Sequence, residues 1–253
     1  MVKSLEENMM VDQAERTDKG GFGETVKVII QALLLALVIR TFLFQPFSIP
    51  SGSMIPTLLV GDYLFVSKWS YGYSKYSLPF SPDVFEGRIL ASQPDRGDVV
   101  VFRKPHEEDI DYIKRLVGMP GDRIQVREGV LYVNGKAVPR ESAGAFTFDD
   151  GTTAEQYRET LPNGVSYITL DLSPNSPGDN TREFVVPADH YFMMGDNRDN
   201  SLDSRFDVGY VPFENLVGKA RVIFFSIKDD VSPLEVWQWP SDLRPSRFFT
   251  WLG

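Results

Sequence analysis

Three short segments hold residue types from which a serine nucleophile and a lysine general base could be assembled without histidine, cysteine or metal. In FSIPSGSMIPTLLVGDYLFVSK (47–68), Ser51, Gly52, Ser53 and Met54 stand between Pro50 and Pro56. The prolines fix φ locally and Gly52 lets another backbone come close, so Ser53 can be held exposed on a rigid bend, as a nucleophile needs. Taken alone, the segment equally describes a proline-rich turn. In DYIKRLVGM (111–119), the strand period of two puts Tyr112, Lys114 and Leu116 on one face and Ile113, Arg115 and Val117 on the other. Burial of Lys114 among such apolar bodies disfavours its charged form and lowers its pKa, which makes a lysine usable as a general base near neutral pH. A snorkelling surface lysine is the more ordinary reading, so the inference needs Ser53 nearby. The third segment, GDNRDNSLDSR (195–205), has the Asp/Asn alternation of a calcium loop but lacks the glycine required at the sixth place. It reads as a tightly hydrogen-bonded turn whose short polar side chains orient their neighbours.

Other chemistries drop out by counting. There are two histidines and no cysteine. His106 lies in the charged run PHEEDID and His190 follows Pro-Ala-Asp, and neither surrounding suggests a Ser-His-Asp triad. No H-E-x-x-H motif, Walker loop or strand-borne G-x-G-x-x-G appears, so neither a metal nor a cofactor is expected. Against 26 basic residues stand 35 acidic ones, a poor match to a phosphate backbone, which argues against nucleic acid as a partner. A 253-residue chain with 42% hydrophobic residues is neither disordered nor a small disulfide scaffold.

Strands must position these segments. DVVVFRK (98–104), DYIKRLVGM (111–119), DRIQVREG (122–129), VLYVNGKAV (130–138), EFVVP (183–187), HYFMMGD (190–196) and KARVIFFSI (219–227) are short, rich in β-branched and aromatic residues, and mostly bounded by Gly, Pro or Asp. Asn134-Gly135 marks a two-residue hairpin. The fold expected is mostly β, with antiparallel sheets forming a barrel-like or sandwich core. Between about 139 and 182 the composition turns acidic and rich in Gly, Pro, Asn and Ser, which predicts an inserted β-ribbon lobe with long loops. The tail VWQWPSDLRPSRFFTWLG, with Trp237, Trp239, Phe248, Phe249 and Trp251, reads either as core packing or as an aromatic contact with a bilayer surface.

One extended apolar run exists, VIIQALLLALVIRTFLF (28–44), with Arg40 placed to snorkel near its end. It predicts a single N-terminal transmembrane anchor over 27–45, a tail over 1–26 and an extracytoplasmic domain over 46–253. A cleaved signal fits less well, because no small-x-small pair follows Phe44. A buried core helix fits less well too, for want of a polar face. Arg16, Lys19 and Lys27 precede the run and no basic residue follows it until Lys68, so the amino end is expected in the cytoplasm. Ser53 then emerges nine residues after Phe44, near the outer surface, with Phe42, Phe44 and Phe47 at the interface.

Together with DRGDVVVF (95–102), the blocks PSGSMIPTL (50–58), YIKRLVGMPGD (112–122) and GDNRDNSLDSR, in that order behind an apolar anchor, resemble the type I signal peptidases, membrane-bound Ser/Lys proteases that remove signal peptides from exported preproteins. The resemblance implies Ser53 as nucleophile and Lys114 as base. It implies an oxyanion hole from Ser51 and the Ser53 N–H, Ser201 orienting Lys114, and a structural Asp203–Arg205 pair. Substrate would lie as an added strand beside Asp111, Tyr112 and Ile113, bordered also by Phe47 and Leu58. Ile49, Pro50, Met54 and Ile113 would line shallow pockets that admit only small side chains, hence cleavage after A-x-A. Location in the inner (plasma) membrane follows, with signal peptides and the bilayer as partners. Some well-known bacterial members have two spans and a periplasmic disulfide, which this sequence does not show, and the lobe carries no motif that aligns. Two other readings are a LexA-like peptidase that cuts itself or one partner, disfavoured because its DNA-binding domain is replaced by an anchor, and a membrane-tethered β-domain that binds extended peptides without cutting them.

Overall fold

The computed structural model describes residues 22–78, 81–83, 85–228 and 239–252. The expected tail lies outside the described residues up to residue 21, as does Trp237. Helix α1 spans Phe22–Phe42. Its 21 residues reach about 31 Å, long and apolar enough to cross a membrane. It starts and stops earlier than the 27–45 span expected. Pro46 disfavours helical backbone at Gln45, and Phe44 already pairs with Ser67 in a strand. The chain divides into two units at Arg40/Thr41.

The second unit carries fifteen strands among the described residues: β1 (Phe44–Ser48), β2 (Asp62–Ser67), β3 (Val99–Lys104), β4 (Glu107–Gly118), β5 (Arg123–Arg127), β6 (Val130–Val133), β7 (Lys136–Ala137), β8 (Arg140–Thr147), β9 (Thr153–Thr160), β10 (Ser166–Asp171), β11 (Phe184–Val185), β12 (His190–Met194), β13 (Val211–Pro212), β14 (Leu216–Ser226) and β15 (Thr250–Trp251). The largest sheet runs β1-β2-β14-β3-β4-β12-β13, with β15 beside β14. A four-stranded sheet, β11-β5-β6-β7, packs on it across Val117, Phe192, Met194, Ile124, Val126 and Leu131. The mostly β, antiparallel architecture is the one expected. Asn134 (φ 52°) and Gly135 (φ 77°) form the tight β6–β7 turn, a left-handed pair that Asn-Gly adopts readily.

The lobe is a three-stranded meander, β10-β9-β8, followed by the loop 172–182. The aromatic tail divides: Trp239, in the short helix α2 (Trp239–Asp242), and Phe248 both lie 5.5 Å from the Phe225 ring, whereas Phe249 and Trp251 are 73% and 74% exposed.

Along β4 the faces fall as the alternation requires. Tyr112 and Leu116 join one apolar cluster with Phe102, Tyr191 and Met193, while Ile113 packs against Ile49, Met54, Leu58 and Val99. This second cluster underlies the Ser53 bend. β12 pairs with β4 only from Arg115 to Gly118, and at Gly195 the chain turns away. On that side, among the described residues, no strand pairs with Ile110–Lys114.

Candidate active site

Gly52–Met54 forms a single 3₁₀ turn after extended Ser51. Met54 is fully buried and anchors the turn, and Leu58 N–H donates to Met54 O at 2.9 Å. Ser53 is left at the floor of a cleft of about 600 Å³. Lys114 enters from the last residue of the open stretch of β4. Its Nζ lies 2.7 Å from Ser53 Oγ and 3.1 Å from Ile113 O, over the Tyr112 ring at 5.2 Å. Ser53 is 7% exposed and Lys114 4%. Burial lowers the Lys114 pKa to about 8, against the opposing pull of Asp203 and Asp196. As a cation, Nζ donates to Ser53 Oγ. Once neutral, it offers a lone pair along the same line, and the Ser53 hydroxyl becomes the donor. A hydroxyl within proton-transfer reach of an amine that is partly neutral at physiological pH can attack a carbonyl carbon.

The 195–205 turn builds the wall behind this pair. Asn197 N–H donates to Ser53 O at 3.1 Å, and Asn197 Nδ2 to Gly52 O at 3.0 Å. Arg115 grips Asp196 with Nε at 2.8 Å and Nη2 at 2.6 Å, and Thr57 Oγ1 donates to the same carboxylate at 2.6 Å. Asp203 accepts Gly195 N–H at 3.0 Å and two Arg205 bonds at 2.9 Å. Burial raises the Asp203 carboxyl, but the Arg205 charge and these donors outweigh it and hold it below the usual range. Gly195 has no room for a side chain: a Cβ would stand 2.2 Å from Ser201 Oγ and 2.5 Å from Ser53 O.

Of the residues expected at the site, Ser51, Ser53, Pro50, Asp111, Tyr112, Ile113, Lys114 and Ser201 line the cleft. Ser51 Oγ is 3.5 Å from Ser53 Oγ. Ile49, Met54 and Leu58 are core residues instead, with Phe47 packed against them, because the bend turns its apolar side chains inward beneath Ser53. They shape the floor from below and are not part of the lining. Ser201 Oγ does not make the bond to Lys114 that was expected. It is buried against Gly195 without a hydrogen bond, the ammonium's partners being Ser53 and Ile113.

Sequence reasoning missed the Arg115–Asp196 pair, the Asn197 strap and the cleft residues Ser176–Gly178. The Asp/Asn alternation in GDNRDNSLDSR signalled a tightly hydrogen-bonded turn without saying which distant groups it would hold. The histidines stay apart from this chemistry: His106 is exposed in the β3–β4 turn, and His190 Nδ1 sits 2.7 Å from Ala188 O.

A family model described as signal peptidase, peptidase S26, matches residues 22–225. Signal peptidase I of Rickettsia prowazekii (strain Madrid E) is 44% identical over 93% of this chain and 94% of its own. That of Rickettsia typhi (strain ATCC VR-144 / Wilmington) is 44% identical over 86% and 89%. A crystal structure of a signal peptidase I from Enterococcus faecalis V583 is 26% identical, covering 51% of this chain and 97% of that one at a TM-score of 0.32. The chain belongs to the signal peptidase family, peptidase S26, and is a peptidase. Its apolar N-terminal helix fits a single-pass membrane protein.

Proposed function

We propose that the protein removes signal peptides from exported preproteins with Ser53 as nucleophile and Lys114 as its base, through an acyl-enzyme. The observation that carries this reading is the 2.7 Å separation of Lys114 Nζ and Ser53 Oγ, both shielded from water beside an unpaired strand edge. Substrate adds to the edge at Asp111–Ile113, taking the line that β12 leaves at Gly195. Lys114 accepts the Ser53 proton as Oγ bonds to the scissile carbonyl carbon. The Ser51 hydroxyl and the Ser53 N–H receive the developing oxyanion. When the carbon–nitrogen bond breaks, Lys114 returns the proton to the departing amine, and it then deprotonates the water that hydrolyses the ester.

Ile49, Met54 and Leu58 are close-packed beneath the Ser53 bend, which supports a preference for alanine before the cut. The basic residues Arg16, Lys19 and Lys27 ahead of the apolar run, with none after it until Lys68, support an amino end in the cytoplasm and a catalytic unit outside the inner membrane. The exposed rings of Phe249 and Trp251 suit a bilayer surface as a further partner.

With the full chain in detergent, a preprotein is expected to be cut once, after its A-x-A. Leucine in place of the alanine just before the cut is expected to lower kcat/KM by about 30-fold or more, checked by mass of the products and initial rates. Equal cleavage of the leucine substrate would remove the specificity proposed. Binding without any cleavage would favour the peptide-holding alternative.

A further inference from the structure

We infer that the inserted lobe positions the catalytic serine, and that Glu159 is the residue through which it acts. This rests on the Ser53/Lys114 reading and adds to it. Glu159 is the one carboxylate of β9 withdrawn from water, 1% exposed in a strand whose other charged side chains, Glu155 and Arg158, are exposed. It faces Arg198, itself 5% exposed, in the turn behind the cleft. Arg198 Nη2 lies 2.6 Å from Glu159 Oε2 and 3.2 Å from the Tyr167 hydroxyl, which donates to the same carboxylate at 3.0 Å. Arg198 Nε donates to Gly195 O at 3.2 Å. One guanidinium fork thus ties the lobe to the glycine packed against Ser53 and Ser201.

A second tie is made by backbone. Leu170 N–H in β10 donates to Asp196 O at 2.8 Å, and Arg198 N–H donates to Leu170 O at 2.9 Å. Between them stands Asn197, whose two bonds hold Ser53 O and Gly52 O. The lobe is therefore two hydrogen-bonded steps from the nucleophile. Tyr167 adds a third contact, its ring centroid 4.1 Å from the Arg115 guanidinium that grips Asp196. A buried ion pair is a poor choice for stability, since apolar residues of similar volume often serve as well. What the pair offers is a fixed direction: the planar fork admits one register of the turn relative to β9 and β10.

The test compares the full chain with Glu159→Gln and with the double change Glu159→Leu/Arg198→Met, which replaces the pair by apolar bulk and leaves neither of its two charges buried alone. The substrate is a fluorogenic peptide carrying A-x-A before the cut, and rates are expressed per folded molecule from near-ultraviolet circular dichroism. Both variants are expected to lose 10- to 100-fold in kcat with KM changed less than threefold, because displacing the nucleophile by an ångström acts on the chemical step. Wild-type kcat in the folded double variant would show the pair to be scaffold only and would overturn the proposal. So would failure of both variants to fold, since the lobe would then hold the fold and not the geometry. A Lys114→Met control separates the two readings: cleavage persisting in it would contradict the dyad, whereas its loss beside an unimpaired Glu159→Gln would contradict the positioning role alone.

Discussion

Replacing Lys114 by Met is expected to abolish cleavage and at the same time to make the protein more stable at pH 7. Folded Lys114 gives up its proton near pH 8, whereas its ordinary value is 10.5. Between these values the unfolded chain holds the extra proton, so stability rises with pH through the window. Below pH 8 the full cost of burying the ammonium is present, about 3 kcal/mol from the difference between the two values. Methionine fills similar space without a charge. Allowing about 1 kcal/mol for the lost bonds to Ser53 and Ile113, the gain at pH 7 is about 2 kcal/mol, or about 4–8 °C in melting temperature. The gain should vanish above pH 10.5, where the wild-type amine is neutral in both states. Cleavage should fall by about 10³-fold or more. Lys114→Arg should be equally inactive although it keeps the charge, because a guanidinium does not give up its proton. A less stable Lys114→Met at pH 7 would show that the amine is not desolvated.

Gly195→Ala should cost about 10²-fold in kcat, by a different route. Gly195 is not among the left-handed glycines, so contact and not backbone conformation demands it. An added Cβ would meet Ser201 Oγ at 2.2 Å, Ser53 O at 2.5 Å and Ser201 Cβ at 2.6 Å. Two of the three belong to a serine walled in on that side, and the third is the carbonyl that Asn197 N–H holds, so the methyl must push the Ser53 bend or the turn aside. A shift of an ångström between nucleophile and base is worth about 10²-fold, and overpacking about 1–3 kcal/mol of stability. Steady-state kinetics beside a melting curve checks both. Unchanged kcat would mean that the wall yields without moving Ser53.

Much of this site was legible in the sequence because its parts are local. The prolines around SGSM and the alternation in DYIKRLVGM each describe a few residues, and they gave the bend and the two faces of β4 directly. Six of the seven stretches read as strands hold one each and VLYVNGKAV holds the hairpin pair β6 and β7, since β-branched and aromatic runs between turn residues need no distant partner to be recognised. β8 and β9 were not legible. RESAGAFT is mostly exposed and TAEQYRET is largely polar with no clean alternation, and only their pairing with each other and with β10 makes them strands. The first residues of β4, EEDI, lie in a charged run without alternation and were not read as strand for the same reason. The wall behind Ser53 was hidden more deeply. Glu159 and Arg198, or Arg115 and Asp196, are joined across 39 and 81 positions of chain, and no spacing rule reaches that far. Ile49, Met54 and Leu58 look alike in sequence whether they line a pocket or support it from beneath.

The claim beneath all of this is that one lysine is shielded enough to be neutral near physiological pH while touching a serine. Its most direct test is an NMR titration of the Lys114 side chain, ¹³Cε and ¹⁵Nζ, in the full chain in detergent micelles, assigned by the resonance missing from Lys114→Met. A midpoint near pH 8, shared by the rise in kcat/KM, is the result predicted. A midpoint above pH 10 would contradict it.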